Sequence, residues 1–337
     1  MADMTIDDVV KELDTFLSNN PTLISAAINR AQNILDLHTQ PLTKVKGNYP
    51  QGHTLLTDVV QGFDPVWNDL GTLQIEHKIL KNYHQKVNFG LIPSQILASY
   101  WAELYAEERT PEDMPISRYI IENELLPKVL DNLATLSVTG TYDPARKDEF
   151  GYSMNGIKTI IDNLLVADVA TAPTPYKIPL DAATDLTIVE TVTNFERSLP
   201  SKMKSKIKKL YMGENMGERH MLDYEDKFGQ NQFQNDQMKT RLGKREIVVI
   251  PGYDGDQIFA HVEGNFKRLI DVFDGAPAVT DIQKQDYQIK IFMEFWKGYD
   301  FLIDELVFVS NYADETLGLG STAKNRKYYS FDGVTAQ

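Results

Sequence analysis

Cysteine is absent from the 337 residues, so no disulfide framework, thiolate metal site or cysteine nucleophile is available to this chain. Long apolar runs are missing as well. Nowhere do the roughly eighteen uninterrupted apolar residues of a membrane span occur. The N-terminal run Met1-Ala2-Asp3-Met4-Thr5-Ile6-Asp7-Asp8 is acidic where a secretory leader would be basic and then apolar. No membrane association is expected, and folding in a reducing cytoplasm fits. Positive charge is in deficit: 34 Lys and Arg face 48 Asp and Glu, a formal net charge of -14. Affinity for DNA comes chiefly from neutralising its backbone with Lys and Arg, so gripping phosphates is not the main business of the chain as a whole. The acidic balance suits a particle that must stay soluble, or a lining that should not adhere to packaged DNA.

The signatures of common chemistries are lacking too. There is no P-loop, GxGxxG, GxSxG or kinase motif, which removes the usual grounds for nucleotide binding or acyl transfer. The six histidines (His38, His53, His77, His84, His220, His261) show no metal-ligand spacing. Only His77 and His84 fall close together, on extended runs of unfixed register, so no metal is expected there. Asp254-Gly255-Asp256 resembles a fragment of a calcium loop but lacks the glycine at the sixth place and the terminal glutamate, and reads better as a turn between strands. The acidic pairs at Glu107-Glu108 and between Asp223 and Asp226 read as solvated faces. Lys202, Lys204, Lys206, Lys208 and Lys209 crowd one short predicted helix with Met203, Ile207 and Leu210 on its other side, a basic surface that could meet DNA or an acidic neighbour. No catalytic residue, cofactor or metal ligand is assigned.

What is present is a sequence of differently patterned segments. Thr5 caps a first amphipathic helix with Ile6, Val9, Val10, Leu13, Phe16 and Leu17 on one face; a second, over residues 22–37, carries Ile24, Ala27, Ile28, Ala31 and Leu35. A turn-rich stretch with Pro41, Gly47, Pro50 and Gly52 follows, so residues 1–62 read as an arm that need not pack on its own subunit. Leu73, Ile75, His77 and Ile79 then alternate with polar residues, as do Tyr83, Gln85, Val87 and Phe89, which predicts an antiparallel hairpin turning near Lys81. A two-stranded ribbon is barely stable alone in water, so it should rest on a neighbouring chain.

Thr110-Pro111-Glu112-Asp113 opens a long helix with Ile116, Ile120, Leu126, Val129, Leu130, Leu133 and Leu136 inward; Pro127 should kink it and Gly140 end it. Helices are predicted after Gly156 and from an Asn215 cap with Glu218 three on, stopped by Gly229. Strands close the chain: residues 245–251, 257–262, the alternating Tyr287, Ile289, Ile291, Met293 and Phe295, and residues 305–310. No internal repeat occurs, and the class is mixed α+β.

This order of elements resembles the Hong Kong 97 fold of tailed-bacteriophage major capsid proteins, shared with encapsulin nanocompartments, over residues 63–311. Three groups of runs carry the resemblance. Gly140-Thr141-Tyr142-Asp143 followed by Gly151 to Gly156-Ile157 looks like the loop and Gly-Ile pair that open the family's axial domain. Lys206 to Met212 and Tyr224 to Gly229 resemble its lysine-rich segment and the helix ending in Phe-Gly, before a strand at Arg245 to Ile250. Gln257 to Phe266, Ile289 to Trp296 and Leu306 to Val309 look like its later strands.

The resemblance implies an N-terminal arm (1–62), an extended hairpin loop (63–95), a peripheral domain with a long spine helix (96–139 and 276–303) and an axial domain (140–275 and 304–337). It implies a shell protein forming hexamers and pentamers around double-stranded DNA without sequence specificity, with scaffold, portal and decoration proteins as partners. It would be located in the virion after assembly in the host cytoplasm. Leu73, Ile75, Val87 and Phe89 would then serve the intersubunit hairpin, and Ile120, Val129 and Leu133 the spine-helix core. The alternatives are an encapsulin-type compartment, and a metal-dependent hydrolase using Asp254 and Asp256.

Overall fold

The computed structural model describes residues 6–29, 33–107, 110, 114–169, 172–229, 238–271, 279–313 and 315–329. Thr5, Ala31 and the run Pro111 to Asp113, with the cap and helix-start roles expected of them, lie outside the described residues. The architecture is α+β: two five-stranded sheets, a detached two-stranded ribbon, and helices against each sheet.

The first sheet is organised by β11 (Gln288–Phe301). Its first half pairs antiparallel with β10 (Val279–Gln285) on one side and β4 (Tyr83–Leu91) on the other. Its second half pairs with β9 (Phe266–Ile270), which in turn takes β1 (Gln40–Leu42) in parallel. Ile289, Ile291 and Met293 alternate into the core, as their period of two requires. Over them lie α1 (Ile6–Asn19), α2 (Leu23–Asn29), α4 (Pro93–Ala106) and the long spine helix. Val9, Leu13, Ile24 and Ile28 are buried in this cluster, so the arm's helices pack on their own subunit. The amphipathic faces read from the sequence needed an apolar surface, and the spine helix supplies it.

That spine helix starts at α5 (Ile116–Arg118), passes through a π-helical segment (Tyr119–Leu125) and continues as α6 (Leu126–Thr139). Pro127 has no N–H and would crowd the carbonyl four residues back, so an α-helical ladder cannot run through it unbroken. The widened segment just ahead absorbs the mismatch, with the Leu126 N–H bonded to the Ile121 carbonyl five residues back. Ile120, Val129 and Leu133 are all buried, Ile120 within the π segment.

The second sheet runs in the order β5 (Tyr176–Pro179), β12 (Val307–Asn311), β8 (Phe259–His261), β6 (Lys209–Gly213), β7 (Glu246–Ile250). It is packed by α7 (Ile157–Val166), α8 (Ile188–Ser198), α9 (Glu214–Phe228) and α10 (Thr322–Tyr329). Three local expectations change here. The cap of α9 is Gly213 rather than Asn215. Residues 201–206 form successive turns rather than a lysine-rich helix, because pairing of Lys209–Gly213 with β7 and β8 pulls the chain into a strand. Asp223 is not a solvated carboxylate: it is buried, accepts the Val189 N–H at 2.9 Å at the start of α8 and pairs with Lys227.

The end of α6 and the start of α7 meet backbone to backbone, with the Gly156 N–H donating to the Gly140 carbonyl at 2.8 Å. A Cβ on Gly156 would lie 2.6 Å from the Val138 carbonyl, and one on Gly140 2.6 Å from the Leu136 and Met154 carbonyls. Backbone cannot swing aside as a side chain can. Gly156→Ala is therefore expected to destabilise the subunit by about 1–3 kcal/mol, read as a lower urea midpoint with an unchanged slope.

Charged groups tie the arm to the first sheet. Asp36, on α3 (Ile34–Leu37), is 2% exposed; it accepts the Tyr299 hydroxyl at 2.6 Å and pairs with Lys297 at 3.3 Å and Arg268 at 3.4 Å. Burial pulls Lys297 below its ordinary range, against the opposing pull of Asp36. Asn33 caps α3 through the Asp36 N–H at 2.7 Å and donates to Ser137 of the spine helix at 3.1 Å. Elsewhere in the interior, His220 on α9 is fully buried with neither ring nitrogen hydrogen-bonded among the described residues, and His261 on β8 stacks on Tyr211 with ring centroids 5.0 Å apart.

Candidate assembly surface

The hairpin expected between residues 73 and 89 is not formed. β3 (Leu73–Lys81) pairs antiparallel with β2 (Asn48–Leu56), and β4 joins β11. Only Asn82 separates β3 from β4, one residue fewer than the shortest common hairpin turn. Asn82 instead makes a corner: its side-chain amide donates to the Val45 carbonyl at 2.7 Å, its side-chain oxygen accepts the Tyr83 N–H at 3.0 Å, and its own N–H donates to the Gly47 carbonyl at 2.9 Å. The ribbon thus spans residues 48–81, with residues 57–72 at its tip. Pro50 and Gly52, read from the sequence as turn residues, sit in the ladder opposite Ile79 and His77. A two-stranded ribbon has two free edges, where a proline's missing donor is tolerated.

The ladder sorts the ribbon into two faces. Directly opposed residues share a face, so Leu56, Thr54 and Pro50 lie with Leu73, Ile75 and Ile79 on one side. Leu73 is 65% exposed, Ile75 59% and Ile79 65%. The tip adds Phe63 and Trp67, almost wholly exposed. Isolated exposed apolar residues need no explanation, but Leu56, Leu73, Ile75 and Ile79 gather on one face, with Thr54 and His77 among them, as an apolar patch of the kind that serves contact. Val87 and Phe89 are not part of it: they face Met293 and Ile291 across the β4–β11 ladder and pack against the spine-helix cluster of their own subunit. Of the four hairpin residues expected at an interface, two are outward on the ribbon and two belong to the core.

The other face holds the ribbon to the body. The Lys78 ammonium sits among Asp300 at 2.7 Å, Asp304 at 2.5 Å and the Phe301 carbonyl at 2.7 Å. Burial alone would lower Lys78, but the two carboxylates outweigh it and keep Lys78 above its ordinary value. Burial pushes Asp304 up to about 6 and raises Asp300, with Lys78 opposing both. Higher on the ribbon, Lys327 of α10 pairs with Glu76 and lowers its carboxyl, and the Tyr328 hydroxyl lies 3.0 Å from His53 Nε2. None of Lys78, Glu76, Asp300, Asp304 or Tyr328 was singled out in the sequence. The available signal was the polar half of the period-two alternation, which identifies a face but not its partners.

The candidate polar sites of the sequence fall apart in space. Asp254 is bonded to Lys158 at 2.6 Å in the link between β7 and β8, where it is exposed. His84 stacks flat on Trp296 at 4.5 Å and pairs with Glu294 at 3.3 Å, while His77 lies on the outward face of the ribbon. Among the described residues no group of three His, Asp or Glu side chains is arranged to hold a metal ion. Among them also, no helix is long and apolar enough to cross a membrane.

No protein-family model matches the sequence, and no curated protein matches it. Solved structures do match the fold. The capsid of the empty GTA particle aligns with TM-score 0.51 at 12% identity, over 85% of this chain and 98% of that one. The Gordonia phage Cozz chain aligns at 0.50 with 10% identity, over 84% and 87%. The cyanophage A-1(L) capsid aligns at 0.50 with 11% identity, over 84% and 94%. At such identities the likeness is one of fold, extending over nearly the whole of each chain.

Proposed function

We propose that this chain, which has the Hong Kong 97-type capsid fold, is the shell subunit of an icosahedral particle, the head of a tailed phage enclosing double-stranded DNA. The observation that carries this reading is the ribbon's outward stripe of Leu56, Leu73, Ile75 and Ile79, an apolar face that the described residues of its own subunit leave largely exposed. A second copy placed under that stripe would bury it and complete the ribbon's packing. On this reading hexamers and pentamers are built by each ribbon lying on the next subunit. A scaffold, a portal and decoration proteins would be the further partners, the host cytoplasm the place of assembly and the virion the final location. Residues 96–139 with 276–303 would act as the peripheral unit and residues 140–275 with 304–337 as the axial one, with the ribbon's limits moved to 48–81. The role is structural, with no catalytic step assigned.

The double substitution Leu73→Asp with Ile75→Asp puts two charges on the stripe without touching the core. It is expected to leave the far-ultraviolet circular dichroism and the unfolding midpoint of the subunit unchanged while abolishing particles in negative-stain images. Particles formed as readily by the variant, or a wild-type chain that stays monomeric at high concentration, would overturn the proposal. Wild-type particles that lack a portal vertex and enclose protein cargo would identify a compartment of the encapsulin type on the same fold.

A further inference from the structure

Although the chain is acidic overall, one region is not. Residues 197–209 carry Arg197, Lys202, Lys204, Lys206, Lys208 and Lys209 and no acidic residue, and residues 239–245 carry Lys239, Arg241, Lys244 and Arg245 and none either. The fold brings these two runs together. Arg245 reaches under the turns at 201–206, its guanidinium donating to the Lys204 carbonyl at 2.6 Å and the Ile207 carbonyl at 3.1 Å, and its charge is met inside by Glu196. The Glu246 N–H donates to the Lys208 carbonyl at 3.0 Å, which zips the start of β7 to the start of β6. Lys208 and Lys209 are paired with Glu263 and Glu246. Lys206 and Lys244 are exposed and have no carboxylate partner among the described residues.

Beside these turns opens a cleft of about 1240 Å³ whose lining includes Arg197, Lys202 and Lys204 with Asn194, Ser198 and Ser201. Asp181 and Glu315 line it too, so an anion is favoured at the lysines and not throughout. We propose that this cationic turn, with Lys202 lining the cleft and Lys206 and Lys244 exposed beside the same turns, is the surface that meets the phosphate backbone of enclosed double-stranded DNA. The inference rests on the shell reading above, and gives it a direction: the 201–206 turns would point to the lumen.

Three features favour phosphate over an acidic protein. The exposed residues of the turn are Ser201, Lys202, Ser205 and Lys206, point charges and hydroxyls that suit backbone contacts. Residues 201–206 carry no exposed aromatic or aliphatic anchor of the kind a protein interface buries at its centre, although Leu242, near Lys244, is 47% exposed. Burial together with Arg245, Lys244 and Arg197 holds Lys204 below its ordinary value, so a multivalent anion beside it relieves crowding that a single carboxylate would leave in place. The surrounding acidic surface keeps the contact local and weak, which suits DNA that must be released.

The test is fluorescence anisotropy of a short labelled duplex of arbitrary sequence with the purified full chain. If about three phosphates are neutralised, affinity should fall roughly forty-fold between about 50 and 200 mM salt. The variant Lys202→Gln, Lys206→Gln, Lys244→Gln should bind at least about ten-fold more weakly at low salt, with an unchanged unfolding midpoint and a shallower salt slope. The control Lys128→Gln, Lys147→Gln, exposed lysines elsewhere, should bind as wild type. No binding by the wild type, equal losses in both variants, or patch-dependent binding of polyglutamate tighter than of DNA would overturn the inference. Negative-stain images of the same wild-type sample separate the two readings: particles without patch-dependent DNA binding sink only this inference, whereas an absence of particles sinks the shell itself.

Discussion

Replacing His220 by Leu together with His261 by Phe is expected to make the subunit about 5 kcal/mol less sensitive to acidification between about pH 7 and about pH 4.5. Burial lowers both histidines to about 4. Among the described residues neither nitrogen of His220, inside α9, has a hydrogen-bond partner, and His261 is enclosed by Tyr211, Phe266 and Phe301 with the Val262 carbonyl at 3.0 Å. An unfolded histidine takes its proton near pH 6.5. The unfolded chain therefore binds more protons than the folded one from about pH 6.5 downward, and stability drains as pH falls toward 4, by about 2.4 kcal/mol per histidine over this interval. Asp304, raised to about 6, works in the opposite sense, since its carboxyl is relieved of a buried charge as pH falls through that value. The comparison of variant with wild type removes that contribution. Urea unfolding at a series of pH values reads the difference directly, and parallel pH profiles for the two proteins would contradict the assignment.

Asp36→Ala is expected to cost about 3–5 kcal/mol, the largest loss from any single carboxylate here, because it leaves Lys297 and Arg268 buried without a counter-charge. Tyr299 loses its acceptor at the same time. Asp36→Asn keeps the size and an acceptor oxygen but removes the charge, and should fall between the two. Since Asp36 fastens the arm to the sheet, limited proteolysis should cut the Asp36→Ala protein ahead of β1 faster than the wild type, alongside a lower urea midpoint. A midpoint within about 1 kcal/mol of wild type would show that the cations find water instead.

How far the sequence disclosed this molecule depended on whether a segment's pattern was satisfied locally or by distant partners. The closing strand was readable because Ile289, Ile291 and Met293 alternate against a core on one side only. The spine helix was readable for the same reason at a period of 3.6, and Pro127 marked the place where its ladder had to change. The ribbon was half readable. Leu73 to Ile79 alternates, but its partner strand was hidden by Pro50 and Gly52, which carry turn preferences that a free-edged ladder overrides. The alternation of Tyr83 to Phe89 was correct and its partner was not, since periodicity reports a face and says nothing about which strand lies alongside. The turn at 201–206 failed for a related reason: Met203, Ile207 and Leu210 face inward at helical spacing, yet Leu210 is recruited into β6. Asp36 and Lys78 could not be read at all, because a buried charge is defined by the group it meets, and those groups lie 261 and 222 residues away; for Asp223 the cation Lys227 is four residues on, but the Val189 N–H it also accepts lies 34 residues away.

The corner at Asn82 has a mechanical consequence. β3 passes into β4 through that single residue, and β4 lies along β11 for its whole length. Tension drawn along the ribbon therefore enters β4 lengthwise. Ladder hydrogen bonds stand perpendicular to the strands, so such a pull loads all of them at once in shear, rather than peeling them one after another. A pull on the ribbon therefore does not unzip the sheet behind it strand pair by strand pair.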